Sequence, residues 1–310
     1  MNVLLFGAAG FIGTNLALKL KEDPDIQLTL ADVNKAYFLP VVAGENVRLV
    51  ESPIGVDTDF ERLFAGQDVV YHLVSTTVPT TSNQQIADEL TANVVMTAKL
   101  LDGCVKSGVK KVIFISSGGT VYGKEIACPL AEDTPTNPIS AYGVQKVTIE
   151  KLLYLYRYMH GLDYRVVRLA NPYGPYQRPN GILGAVTTFT YKALRGEEIS
   201  VFGDGSVVRD FIYIDDAVRA ILTIANTDTA HRTYNLGSGY GTSIRQVLTA
   251  IENSLDLRLN IAWLPGRPVD VPVNYLDMSR YEAAFGPLDP LPLEEGIRKT
   301  AAFMKESNMV

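Results

Sequence analysis

Tyr142 and Lys146 stand four residues apart in the segment Tyr-Gly-Val-Gln-Lys. On a helix that spacing places both side chains on one face. A phenol is too weak an acid to ionise at neutral pH, but nearby positive charge favours the phenolate. A tyrosinate held in this way can take the proton of a hydroxyl while hydride leaves the same carbon for an oxidant. Tyrosine and lysine at this spacing also occur as ordinary surface pairs, so the pair needs a second feature before it means chemistry.

That feature lies near the N-terminus, in Gly7-Ala-Ala-Gly10-Phe11-Ile12-Gly13. The first glycine permits a tight turn, the second lets backbone approach a diphosphate, and the third lets helix and strand lie close. Phe11 and Ile12 open the helix whose N-terminal N–H groups would face the anion. Asp32 follows 19 residues after Gly13, where a carboxylate accepts hydrogen bonds from the adenosine ribose of a dinucleotide and repels a 2′-phosphate. NAD is therefore expected as the cofactor in preference to NADP, and its positive nicotinamide ring would join Lys146 in favouring the Tyr142 phenolate. A glycine turn without a ligand is the plainer alternative. The turn's place after a strand, and Asp32 beyond it, favour the cofactor.

The elements that must position these groups alternate in period. A short, fully apolar run at Val3 to Phe6 reads as a central strand covered on both faces, and Leu28 to Ala31, Val47 to Val50, Val69 to Val74, Val112 to Ile115 and Tyr164 to Leu169 read as further strands. Helical patterns at Phe11 to Leu20, about Gln84 to Lys106 and Ala141 to Met159 separate some of them. The expectation is an α/β fold, a Rossmann-type doubly wound parallel sheet with right-handed crossovers. After Leu169 the chain becomes turn-rich and its elements shorten. An NAD-binding domain over 1–170 and a smaller C-terminal substrate-binding lobe over 171–310 are expected, with the chain interleaving.

Composition narrows the function classes. The 310 residues are 47% apolar and 20% charged, with net charge −6, ordinary for a globular chain. No basic run serves nucleic acid, and no stretch reaches the length a membrane span needs. Two cysteines, Cys104 and Cys128, suggest no disulfide framework. His72, His160 and His231 lack metal-ligand spacing. A cytoplasmic protein without a metal is expected.

Further segments carry a resemblance. They are His72-Leu73-Val74-Ser75, Asn93-Val, Ser116-Ser-Gly-Gly-Thr-Val-Tyr-Gly123, Arg168-Leu-Ala-Asn-Pro-Tyr-Gly-Pro175, the long run from Phe202 to Asp216, and Gly266-Arg-Pro-Val-Asp270. With the glycine turn and the Tyr142/Lys146 pair, the chain resembles an extended short-chain dehydrogenase/reductase of the NDP-sugar epimerase/dehydratase family over nearly its whole length. The resemblance implies that Leu73, Val74, Ser75 and Asn93 line the cofactor site and that Ser116 lies by the nicotinamide ribose. It implies that Asn171, Arg209 and Arg267 hold a nucleotide diphosphate, as suits arginine, and that backbone near Val201 and Phe202 meets the base. Asp270 belongs to the same substrate group. A salt bridge of Arg209 to Asp210 or a neighbour is the alternative for that residue. The family's paired long helices imply a homodimer.

Departures from the pattern shape the reaction. The family's usual catalytic Ser/Thr position is Gly118; Ser117 and Thr120 are the nearby hydroxyls, Thr120 is taken as the substitute, and water is the alternative. The aspartate near the adenine is replaced by Pro53. Dehydratases carry an acidic pair after that hydroxyl, and here Gly118-Gly119 offers none. C4 epimerisation of a nucleotide sugar through a 4-keto intermediate is expected. A 4-ketosugar reductase uses the same residues, and a non-catalytic NAD-binding protein is the remaining alternative. Arg178 could face a uronate carboxylate or simply be solvated. Asn274 would leave room for a 2-acetamido group.

Overall fold

The computed structural model describes residues 1–77, 82–124, 126–179, 184–267 and 271–310. Its centre is a seven-stranded sheet. Six strands are β1 (Asn2–Phe6), β2 (Gln27–Asp32), β3 (Val47–Glu51), β4 (Val69–His72), β5 (Lys111–Ser117) and β6 (Asp163–Leu169), and the seventh is Thr233–Leu236. The spatial order is β3-β2-β1-β4-β5-β6 and then Thr233–Leu236. β1 pairs in parallel with both β2 and β4, β2 with β3, and β4 with β5. This is the doubly wound arrangement, and the strand order reverses at β1/β4, where such sheets bind ligands beyond the strands' carboxyl ends.

The apolar runs explain the sheet. Val3, Leu4, Leu5 and Phe6 are all buried, so β1 is covered on both faces as a central parallel strand must be. Leu4, Phe6, Val70, Phe114 and Val166 share a core cluster with Phe60, Leu100, Leu101 and Ile149 from the flanking helices. α1 (Phe11–Leu20) follows β1 directly. The expected helix from Gln84 to Lys106 is interrupted: Ile86–Leu90 and Met96–Ser107 are α-helical, and Thr91–Val95 between them is a π-turn. The Ala141–His160 helix starts at Ser140, whose side chain accepts the Gly143 N–H at 3.1 Å. It stops at Gly161 in the left-handed conformation.

The strand Thr233–Leu236, absent from the sequence expectation, runs beside β6. Val166 N–H donates to Arg232 C=O at 2.7 Å and Ala170 N–H to Leu236 C=O at 2.8 Å, so the two segments advance in the same direction.

Compactness divides the chain into two units. One comprises residues 1–121, 136–168 and 221–234, the other 122–135, 169–220 and 235–310. In the second, Asn171–Tyr173 pairs with Phe211–Tyr213, Ile199–Phe202 pairs with Ile261–Leu264, and Val208–Arg209 lies between Thr242–Ser243 and Val273–Asn274. Its own core gathers Tyr173, Val186, Phe211, Tyr213, Val247, Ile251 and Ile297. Among the described residues no helix is long and apolar enough to cross a membrane.

Candidate functional site

In the first unit, the glycine turn joins β1 to α1. Gly7 has φ +90, and a Cβ there would lie 2.9 Å from Val74 Cγ2 and 3.0 Å from the Val74 nitrogen. Only glycine lets the β1 turn approach the loop after β4 so closely. A Cβ on Gly13 would strike the Ala8 backbone at 2.6 Å, so α1 also packs against the turn. Gly10 differs, because its Cβ would meet nothing nearer than Gly7 O at 3.6 Å. It is the N-cap of α1 and has no side-chain cap bond, with Phe11 and Ile12 half-buried just inside the helix. Open backbone at a helix N-terminus is what a diphosphate requires. Asp32 Oδ2 accepts the Ala9 N–H at 2.9 Å and Oδ1 accepts the Val33 N–H at 2.8 Å. Its carboxylate is thus fixed beside the turn with acceptor capacity left for hydroxyls. These groups fit a dinucleotide.

The loop after β4 is braced from the π-turn. Asn93, buried, accepts the Thr76 N–H on Oδ1 at 3.0 Å and donates from Nδ2 to Thr76 Oγ at 2.8 Å and to Glu89 C=O at 3.0 Å. Leu73 N–H donates to Phe6 C=O at 2.9 Å, Val74 is buried, and the Ser75 hydroxyl donates to Thr77 C=O at 2.8 Å. Thr77 Oγ donates to Gln145 Oε1 at 3.2 Å, and Gln145 Nε2 donates to Glu89 at 3.2 Å. The same loop is therefore tied to the helix that carries Tyr142 and Lys146.

Tyr142 lies in the first turn of that helix and Lys146 one turn on. Lys146 is buried, and its Nζ donates to Ile115 C=O at 2.9 Å. Nζ sits 5.4 Å from the Tyr142 ring centroid and 4.8 Å from that of Phe114. Burial lowers the Lys146 pKa to about 8, opposed by the Glu150 carboxylate. Burial also pushes Tyr142 up to about 12. The expected drop in the Tyr142 pKa combined two positive charges. With Lys146 alone, placed over the ring and not at the hydroxyl, desolvation prevails.

Two hydroxyls of the Ser116 to Thr120 segment have opposite settings. Ser116, expected by the nicotinamide ribose, is buried and donates to Glu150 Oε1 at 2.6 Å. Glu150 is in turn paired with Arg168 at 2.7 Å. Thr120 Oγ is buried with no hydrogen-bond partner among the described residues. Such a group is costly unless something else satisfies it. Thr120 also lies against the Ala141–His160 helix, since a Cβ on Gly143 would lie 2.6 Å from Thr120 C=O.

In the second unit, Asn171 donates from Nδ2 to Asp210 C=O at 2.8 Å. Arg209 Nη1 donates to Val208 C=O at 2.8 Å and to Val271 C=O at 2.6 Å. Asp210 makes its bonds elsewhere: its carboxylate accepts the Ser238 N–H and Oγ at 2.7 Å each, the Leu276 N–H at 3.2 Å and the Gly239 N–H at 3.3 Å. The alternative Arg209–Asp210 pair is not the arrangement found. Burial raises the Asp210 pKa against the pull of these bonds. Val201 is buried and Phe202 exposed on one strand, and the Arg267 guanidinium stacks 4.4 Å from the Phe202 ring centroid. Arg178 is exposed. Asp270 lies outside the described residues.

Sequence reasoning missed Gln145, Glu89, Glu150 and Gly143. Glu150 alone carried a usable signal, one turn beyond Lys146 on the same helical face.

A model of the NAD dependent epimerase/dehydratase family matches residues 3–237. The UDP-glucose 4-epimerase of Mycolicibacterium smegmatis is 34% identical over 99% of this chain and 100% of its own length. The crystal structure of UDP-glucose 4-epimerase from Thermotoga maritima with UDP-glucose is similar at TM-score 0.92 and 34% identity, covering 99% of this chain and 100% of that one. UDP-glucuronic acid 4-epimerase from Bacillus cereus, with UDP-glucuronic acid and NAD, is similar at TM-score 0.89 and 26% identity, covering 99% and 100%.

Proposed function

Because the chain belongs to the NAD-dependent epimerase/dehydratase family, we propose that it is an NAD-dependent 4-epimerase of a UDP-linked sugar. The observation that carries this reading is the Tyr142/Lys146 pair on one helical face, beside a Ser116 to Thr120 segment that holds no carboxylate. A dehydratase needs such a carboxylate to expel water, whereas epimerisation needs one base and a retained cofactor.

In this reading residues 1–170 supply most of the cofactor domain and 171–310 most of the substrate lobe, with the chain interleaving between the two compact units. Gly7, Gly10 and Gly13 with the α1 N-terminus hold the NAD diphosphate, and Asp32 accepts from the adenosine ribose. NAD held there would supply the hydride acceptor and donor for C4 of the sugar. Tyr142 accepts the C4 hydroxyl proton and later gives it back. Lys146 supplies the positive charge that favours the phenolate. Thr120 Oγ, without a partner among the described residues, is suited to bond the reacting hydroxyl. Asn171, Arg209 and Arg267 hold the substrate diphosphate, backbone at Val201 and Phe202 meets the base, and Asp270 and Arg178 complete the substrate side.

A homodimer is part of the proposal. Tyr154 at 62% exposure, Tyr158 at 81% and Met159 at 59% crowd apolar surface on one long helix, more than a solvated helix carries without a partner.

The test is to incubate the protein, without added reductant, with UDP-hexoses, UDP-N-acetylhexosamines and UDP-uronates and to read the anomeric protons by NMR. A 4-epimer identifies the reaction and its sugar. No conversion across the panel, with NAD bound, overturns the epimerase.

A further inference from the structure

A chain of buried hydrogen bonds leads from the sheet to the loop after β4. Thr97 Oγ donates to Asn93 C=O at 2.6 Å, and His72 Nε2 lies 2.8 Å from the same Oγ. A hydroxyl has one proton, and the Asn93 carbonyl can only accept it. His72 Nε2 must therefore carry the proton that it shares with Thr97, which fixes the ring as the Nε2–H tautomer. His72 Nδ1 is then an acceptor, and it is buried with no partner among the described residues. Phe6 and Phe114 flank the imidazole, which burial and the charge of Lys146 keep neutral with a pKa lowered to about 3.

An unpaired buried nitrogen is a standing cost, and an apolar side chain at position 72 would avoid it. What the imidazole supplies in return is a donor aimed at Thr97, which leaves that hydroxyl no direction but Asn93. Asn93 lies inside the π-turn Thr91–Val95, an irregularity found mostly at functional positions of helices. From there its side chain makes both bonds to Thr76.

We propose that Thr97, oriented by His72, is a positioning residue that sets the affinity for the dinucleotide by holding the π-turn so that Asn93 clamps the loop Leu73 to Thr77. This rests on the cofactor reading above. Thr97 touches no ligand in this account. It acts only through Asn93, by reducing the ordering that the loop must undergo when the cofactor binds.

Calorimetric titration of the full chain, freed of nucleotide, with NAD⁺ tests it. Thr97→Val should weaken binding about tenfold, the scale of one lost buried hydrogen bond. Thr97→Ser, which keeps the hydroxyl, should stay within about twofold of the parent. Folded Thr97→Val protein that binds NAD⁺ as tightly as the parent overturns the proposal, as does Thr97→Ser binding as weakly as Thr97→Val. Should the valine variant not fold, native-state amide exchange of the parent decides. Thr76, Asn93 and Thr97 should open together, and a freely exchanging Thr76 beside protected Asn93 overturns the clamp. A parent protein that does not bind NAD⁺ overturns the cofactor reading instead, a result distinct from either.

Discussion

The Lys146 ammonium lies over the face of the Tyr142 ring, 5.4 Å from its centroid, and gives a hydrogen bond to Ile115 C=O, not to the phenol oxygen. Its influence on Tyr142 is therefore through space, and burial outweighs it, leaving the phenol with a pKa of about 12. A second positive charge is needed to form the base. At about pH 7, where Lys146 still carries its charge, nucleotide-free protein should show no tyrosinate absorbance from Tyr142, and NAD⁺ should add up to about one tyrosinate per site, scaled by the fraction ionised. The increment should be missing in Tyr142→Phe, whose turnover should also fall by roughly 10²–10⁴-fold. An NAD⁺-induced signal that survives in Tyr142→Phe would assign the ionisation elsewhere.

The buried Lys146 should also make stability depend on pH. Its pKa falls from the ordinary 10.5 to about 8 in the folded protein. Between those values the unfolded chain holds more protons, so stability rises with pH through that window and is lost as pH falls through about 8. The groups that bear on it are Glu150 and Tyr142 on its own helix and His72 on β4. Tyr142, shifted the opposite way, loses stability only above pH 10. In Lys146→Met the Lys146 contribution should vanish and the Tyr142 one remain. Urea denaturation of both proteins at several pH values should give a difference that grows by on the order of 1.4 kcal/mol per pH unit in the window. A flat difference would show that Lys146 is not desolvated.

Much of the first unit was legible in the sequence, because its signals are local. β1, β4 and β5 carry short apolar runs, and the glycine turn carries its chemistry within seven consecutive residues. The strand Thr233–Leu236, Thr-Tyr-Asn-Leu, has no such run, and its place beside β6 comes only from long-range pairing. The π-turn at Thr91–Val95 adds one residue to a helical turn without disturbing the apolar pattern that announces the helix. Ser116, expected by the nicotinamide ribose, gives its hydroxyl proton to Glu150, a partner visible only once β5 and the long helix lie together. Nothing in the sequence singled out Gly143, whose reason is the Thr120 carbonyl against which it rests.

Glu150 and Arg168 form a buried ion pair at 2.7 Å, with side chains 6% and 8% exposed, and Ser116 donates to the same carboxylate. Removing one partner leaves a buried charge uncompensated, so Glu150→Gln should cost about 3–5 kcal/mol. Replacing both by apolar residues, as in Glu150→Met with Arg168→Met, should recover much of that loss. Chemical denaturation of the parent, the single and the double variant checks both statements. A double variant no more stable than Glu150→Gln would show that the pair's bonds, not charge burial, govern the effect.

Gly143→Ala would place a methyl 2.6 Å from Thr120 C=O and 2.7 Å from Pro138 Cβ. Neither neighbour is the end of a flexible chain, so the first turn of the Ala141–His160 helix must shift. Overpacking of this kind costs roughly 1–3 kcal/mol. Tyr142 moves with that turn, so turnover should fall by ten-fold or more, since catalytic groups tolerate little displacement. Parallel thermal melts and rate measurements test this. Loss of stability with unchanged turnover would separate the packing of Gly143 from the placement of Tyr142.

Thr120 offers the sharpest contrast between stability and catalysis. Its hydroxyl is buried without a partner among the described residues, a penalty in the free protein that a substrate hydroxyl would relieve. Thr120→Val removes the hydroxyl and keeps the shape, so stability should be unchanged or higher by on the order of 1 kcal/mol. If Oγ bonds the reacting hydroxyl, turnover of the nucleotide sugar should drop at least tenfold in the same variant, while Thr120→Ser retains most of it. Stability and turnover would then move in opposite directions, which a purely structural threonine cannot produce. Equal turnover in Thr120→Val and the parent would remove Thr120 from the reaction and leave Tyr142 to act without a hydroxyl partner from this segment.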